Sequence, residues 1–151
     1  EARSIDASKV IELGSASDAR DGVCRMPFTL VINPAAGSLI ERNEVFGPIL
    51  PVITYNSFDE AIARIQAGER PLGIYIFSDQ MDLVERLRLS TSSGGFCVNA
   101  ASLQGAQENL GFGGVGQSGM GRHHGIEGFR EFSNPRGCVE LASDSNTAPI
   151  M

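Results

Sequence analysis

Between Ile49 and Asn99 the chain alternates apolar runs with amphipathic, capped segments, and this alternation limits the fold more than any other feature. Ile49 to Tyr55 (ILPVITY) predicts a strand, with Pro51 at an edge or irregularity because proline gives no N–H to a ladder. Ser57-Phe58-Asp59-Glu60 then forms a capping box: the Ser57 hydroxyl accepts from the Glu60 N–H while the Glu60 carboxylate reaches back. Phe58, Ala61, Ile62 and Ile65 follow at helical spacing, and Gly68 supplies the stop. Leu72 to Phe77 (LGIYIF) predicts a second strand with no polar alternation, the pattern of a strand covered on both faces. Ser78 or Asp79 can cap a second helix with Leu83, Val84 and Leu87 on one face and an Asp82–Arg86 pair outside. Ser92-Ser93-Gly94-Gly95 breaks it, and Phe96-Cys97-Val98-Asn99 opens a third strand. Strand, helix, strand, helix, strand with short links is the sequence form of parallel strands joined by right-handed crossovers. The predicted class is α/β, a three-layer arrangement of parallel sheet and flanking helices.

The flanks are less regular. Residues 1–26 are mixed and polar, with one short apolar patch at Val10, Ile11 and Leu13. Phe28 to Asn33 is a β-branched run that Pro34 stops, hence a strand, and residues 35–43 read as a loop. Residues 100–121 are dense in glycine and form a long functional loop. A short helix near His124–Phe132, a last strand near Gly137–Leu141 and a polar mobile tail over 143–151 complete the outline. The boundary places one partial domain at 1–142.

The chain has 151 residues and a net charge of −6. One domain-sized core fits that length, and the negative charge without any basic run argues against nucleic acid. No apolar stretch is long enough to span a bilayer, so no membrane partner is predicted. Cys24, Cys97 and Cys138 are odd in number and lack C-x-x-C spacing, which suggests neither a disulfide scaffold nor a zinc site. A reducing cytoplasm fits best. Glu1 in place of Met points to a piece of something longer.

Gly114-Val115-Gly116-Gln117-Ser118-Gly119 spells G-x-G-x-x-G, the fingerprint of a loop that cradles a dinucleotide pyrophosphate. Glu140, 21 residues beyond Gly119, stands near the place of a ribose-binding carboxylate. That mechanism needs a strand running directly into the glycines and a helix starting within them. The residues ahead of Gly111, Ala106 to Leu110, are polar and not strand-like. Glycine here fits better as a way to bend tightly, take positive φ and pass close to neighbouring backbone.

Taken together, three blocks resemble the C-terminal part of an aldehyde dehydrogenase. Glu44-Val45-Phe46-Gly47-Pro48 matches the family's E-x-F-G-P motif. Arg70 to Ser78 (RPLGIYIFS) and Thr91 to Asn99 (TSSGGFCVN) match its next strands and turn. Phe112 to Ser133 (FGGVGQSGMGRHHGIEGFREFS) matches the long segment near its C-terminus, and the wording is most similar to the class 3 and coniferyl aldehyde dehydrogenase branch. The resemblance runs from about Cys24 to about Leu141.

This resemblance implies oxidation of aldehydes to carboxylic acids with NAD or NADP, through a cysteine thiolate, hydride transfer and a glutamate-activated water. In the family the cysteine, the glutamate and the dinucleotide domain lie upstream of the matched segment. The chain therefore reads as a fragment with no catalytic residue of its own, no bound cofactor and no metal. The alternative is a truncated, non-catalytic α/β module with a binding or assembly role. By resemblance Glu44 holds the nicotinamide ribose of NAD or NADP, its carboxylate accepting from the ribose hydroxyls; otherwise it is a solvated loop carboxylate. Phe46 packs beside the same ribose and nicotinamide, or is a core aromatic. Phe112 lines the aldehyde pocket, or is a structural Phe. Gly111 stands where the family commonly has Pro, which frees the backbone there.

Cys97 sits in an apolar strand and reads as inert. Cys24 lies near Arg20 and Arg25, but neither it nor Cys138 matches the family's nucleophile motif. His123 and His124, adjacent on a helix, would point about 100° apart and could not chelate one ion together. The resemblance further implies an aldehyde as the small-molecule partner, and a last strand in the region that family members use for homo-oligomer contact.

Overall fold

The computed structural model describes residues 9–14 and 25–141. Cys24, its neighbour Arg20 and the 143–151 tail lie outside the described residues. The fold is α/β, in two compact units that meet in sequence at Gly68 and Glu69.

The first unit is built on β2 (Phe28–Ile32), the run that Pro34 was predicted to stop. On one side it pairs parallel with β3 (Ile49–Val52), in the register Thr29 to Ile49. On the other it pairs antiparallel with β1 (Val10–Leu13), in the register Val10 to Val31. The sequence did not mark β1 as a strand: VIEL is only four residues long with a charged Glu12 inside it, and β1 stands at the sheet edge with three of its four residues exposed. β3 is the other edge, where Pro51 is tolerated opposite Val31. Val31 and Thr29 are the most deeply buried side chains, as the central strand requires. The link between β2 and β3 is not all loop. It holds one helical turn, α1 (Leu39–Arg42), whose Ile40 is buried. Glu41 of this turn accepts from the Gly37 N–H and pairs with Arg64.

Arg64 lies on α2 (Phe58–Ala67), which begins at the predicted cap. Ser57 Oγ accepts the Glu60 N–H at 3.3 Å, and the Glu60 carboxylate takes the Asn56 N–H at 2.9 Å. The reciprocal bond thus reaches one residue further back than a strict box. Ile62 is the buried anchor of the helix.

The second unit contains β4 (Gly73–Ile76), α3 (Met81–Ser90) and β5 (Gly95–Val98), one of the two parallel crossovers predicted. The other does not form among the described residues, because β3 pairs with β2 and not with β4. Ile74, Ile76, Val84 and Leu87 form its apolar core. Burial alternates along β4, against the expectation of two covered faces, and Phe77 just beyond it is 68% exposed. An apolar run alone cannot distinguish a strand covered on both faces from one covered on a single face. Neither Ser78 nor Asp79 caps α3. Its N-cap is Gln80, whose N–H is taken by Ser78 Oγ at 3.1 Å before the helix begins. Outside, Arg88 bonds Glu85 and holds that carboxyl below its ordinary range.

Beyond β5 lie a single turn, α4 (Leu103–Ala106), a 3-10 turn at Gly116–Ser118 and α5 (Gly125–Glu131). The strand predicted at 137–141 does not form. These residues have no regular secondary structure and no ladder partner among the described residues, and Val139 is 89% exposed. A strand needs a partner for its backbone groups, which the apolar pattern of one segment cannot supply.

The two parallel pairs end in the same way. Asn33 follows β2 at φ 46, and its side-chain oxygen accepts the Thr54 N–H at 2.8 Å, just past β3. Asn99 follows β5 at φ 54, and its oxygen accepts the Ser78 N–H at 2.8 Å, just past β4. Asparagine tolerates the left-handed region, and its short amide can close the neighbouring strand end. Asn99→Ala loses that bond and strains the backbone, so it is expected to cost about 2 kcal/mol in equilibrium denaturation. Asn99→Asp keeps the acceptor and the backbone tolerance, and should cost less.

Candidate functional site

Glu44 and Phe46 lie in the segment that joins α1 to β3. Its two ends are fixed. Glu41, one turn earlier, is tied to Gly37 and Arg64, and the Pro48 carbonyl accepts the Thr29 N–H at 2.8 Å. Between these anchors both candidate side chains project outward. Glu44 is exposed, and Phe46 is 92% exposed, so Phe46 is no core aromatic within this unit. Phe46 also has φ 46, a left-handed backbone that a bulky residue adopts only at a cost of about 1–2 kcal/mol. The loop thus offers an exposed aromatic face and, two positions earlier, a carboxylate that can only accept hydrogen bonds.

Phe112 belongs to the second unit. It forms an isolated antiparallel bridge with His123, through N–H to carbonyl bonds of 2.8 and 2.9 Å. Its ring meets the His123 ring edge-on at 5.2 Å. The chain between these two residues is the G-x-G-x-x-G stretch, and it has no phosphate-loop architecture. The preceding strand ends at Val98, and only a three-residue 3-10 turn starts within the glycines. Ser118 Oγ closes that turn by accepting the Val115 N–H and donating to the Val115 carbonyl, both at 2.9 Å. Gly116 has φ 62.

Close approach is the other use of glycine here. A Cβ on Gly94, at the start of β5, would lie 2.1 Å from the Gly113 carbonyl oxygen and 2.7 Å from that of Leu72. Arg122 stitches the same place together, with bonds to the carbonyls of Gly94 at 3.4 Å and Gly111 at 3.2 Å and a contact to Glu127 at 3.4 Å. Gly111, where the resemblance leads one to expect a proline, does not use its conformational freedom: its φ is not positive, and the Glu127 carboxylate occupies the space where a Cβ would stand. An open depression of about 570 Å³ follows this loop, lined by Ser92, Gly114, Arg122, Glu127, Arg130 and Glu131 among others. Phe112 is not part of its lining.

His123 and His124 do not share a helix. His123 is in the bridge, His124 is the N-cap of α5 at φ 72, and their rings stand edge to face at 4.2 Å. No group of three or more His, Cys, Asp or Glu suited to a metal ion occurs among the described residues. Cys97 is half-buried and its thiol donates to Gln104 Oε1 at 2.8 Å, while Cys138 is exposed. Sequence reasoning missed Gln104 altogether. It is only 5% exposed, and no motif or periodicity marks a polar residue in a glycine-rich loop as buried.

The likeness seen in the motifs extends through the chain. Residues 2–137 match the model of the aldehyde dehydrogenase family. The chain is 40% identical to the Caulobacter vibrioides protein named "Probable coniferyl aldehyde dehydrogenase", over 95% of this chain and 30% of that protein. It is also 40% identical to the Homo sapiens protein named "Aldehyde dehydrogenase family 3 member B1", over 85% of this chain and 27% of that one. Among solved structures, the substrate-bound AldH of Staphylococcus aureus matches at a TM-score of 0.72 and 38% identity, covering 83% of this chain and 28% of that one. The chain belongs to the aldehyde dehydrogenase family, and its relatives include coniferyl and class 3 members. It spans less than a third of the length of those relatives.

Proposed function

We propose that the chain is the C-terminal segment of an NAD- or NADP-dependent aldehyde dehydrogenase that oxidises aldehydes to carboxylic acids, and that the nucleophile and the dinucleotide domain lie outside it. The observation that carries this reading is the pinned loop on which Glu44 and Phe46, two positions apart in sequence, are both exposed. Glu44 would accept from the nicotinamide ribose hydroxyls, and Phe46 would cover the ribose and the adjoining ring. When bound, the nicotinamide accepts the hydride that leaves the aldehyde carbon. Phe112 would form part of the aldehyde pocket and help to exclude water from it. Neither Cys97 nor Cys138 has a base poised beside it among the described contacts, which supports a nucleophile supplied from elsewhere.

The exposed, unpaired segment at 137–141 would pair with a second subunit in a homo-oligomer. No helix among the described residues is long and apolar enough to cross a membrane, and a cytoplasmic enzyme is the setting we favour.

Phe46→Ala tests the reading. The side chain makes almost no packing contribution, so unfolding stability should change by less than about 0.5 kcal/mol. In the intact dehydrogenase the cofactor KM should rise several-fold, with the aldehyde KM unchanged. A large loss of stability with an unaltered cofactor KM would return Phe46 to a structural role and favour the non-catalytic module.

A further inference from the structure

Gln104 occupies a trough made by two glycines. Gly73 and Gly95 face each other in the β4–β5 ladder, and Tyr75 and Cys97 form the next row on the same face. A Cβ on Gly73 would lie 2.9 Å from Gln104 Nε2, and one on Gly95 would lie 2.9 Å from Gln104 Cγ. The amide is fixed at both ends: Nε2 donates to the Tyr75 hydroxyl at 2.8 Å, and Oε1 accepts from Cys97 Sγ at 2.8 Å. A buried amide so held locks α4 onto the ladder. The next residue, Gly105, then presents its bare α-carbon to the Phe112 ring, where a Cβ would meet ring carbons at 3.3, 3.6 and 3.7 Å. The ring has a fixed floor at Gly105 and a fixed side at His123, 5.2 Å away.

We propose that Gln104 and Gly105 set the depth of the Phe112 ring, and through it the size of aldehyde that the enzyme accepts. This rests on the reading of Phe112 as a pocket residue. With no side chain at position 105 the ring settles against α4, which leaves more room for a bulky aldehyde than a raised ring would. Any side chain at 105 lifts the ring toward substrate and narrows that space. Gly105 acts through Phe112 and is a specificity-determining position. Gln104 is a positioning residue.

The deciding variant is Gly105→Ala, small enough to leave α4 in place. In the intact dehydrogenase, kcat/KM for benzaldehyde should fall by about tenfold relative to that for propionaldehyde, the scale on which one methylene matters in a pocket. The cofactor KM should not move. In the chain itself, the imidazole proton resonances of His123 should shift, because the Phe112 ring current acts on them and the sequence has only two histidines. Unmoved His123 resonances, or equal changes for both aldehydes, would overturn the proposal. Phe112→Ala separates the two levels of inference. If it changes discrimination while Gly105→Ala does not, the depth mechanism is wrong and the pocket stands. If it changes neither aldehyde, the pocket reading fails, and this proposal with it.

Discussion

Gly94→Ala is expected to destabilise the chain by about 3 kcal/mol or more, a large part of the roughly 5–15 kcal/mol that holds a domain together. The new methyl would be driven into two carbonyl oxygens, those of Gly113 at 2.1 Å and Leu72 at 2.7 Å. Both are backbone atoms, and neither can rotate away as a side chain could. The Gly94 N–H is bonded to the Pro71 carbonyl and its own carbonyl receives Arg122, so relief by moving Gly94 breaks bonds on both sides. Gly116→Ala is the comparison. Its Cβ would meet nothing nearer than the Arg70 side chain at 3.7 Å, so only the left-handed backbone is strained, at about 1 kcal/mol. Urea denaturation of both variants should therefore rank Gly94→Ala well below Gly116→Ala. Equal, small effects would mean that the Gly94–Gly113 approach is not needed for folding.

Glu44→Gln in the intact dehydrogenase is expected to lower kcat/KM for the cofactor by about 1–3 kcal/mol, roughly a factor of 5 to 150. The amide keeps the size of the side chain but loses the charge and one acceptor oxygen, which is what a ribose diol needs. Glu44 is exposed, so the stability of the chain should scarcely change. A kinetic loss without a stability loss marks a residue whose partner arrives from solution. Unchanged kinetics at every cofactor concentration would make Glu44 an ordinary solvated loop carboxylate.

Local signals in the sequence located most elements of the fold. Ser57 and Glu60 placed the start of α2, and the Phe28–Asn33 and Leu72–Phe77 runs placed β2 and β4, because caps and β-branched runs act through neighbouring residues. What escaped depends on partners distant in sequence. β1 exists because β2 offers it an edge, and the 137–141 segment stays unpaired because no described strand offers it one. The family motif brought Glu44, Phe46 and Phe112 to notice, but nothing in the sequence foretold a positive φ at Phe46 or the ring of Phe112 resting on Gly105. The spacing of the glycine stretch matched a phosphate loop, yet its backbone closes on Ser118 and on Gly121 instead.

The central claim is that this segment contributes to cofactor and aldehyde binding but holds no nucleophile. Its most direct test is NADH or NADPH formation by the purified chain, mixed with NAD or NADP and a panel of aliphatic and aromatic aldehydes. No aldehyde-dependent reduction of either cofactor is expected. Reduction that is abolished by Cys24→Ser, Cys97→Ser or Cys138→Ser would contradict it and place the nucleophile within the chain.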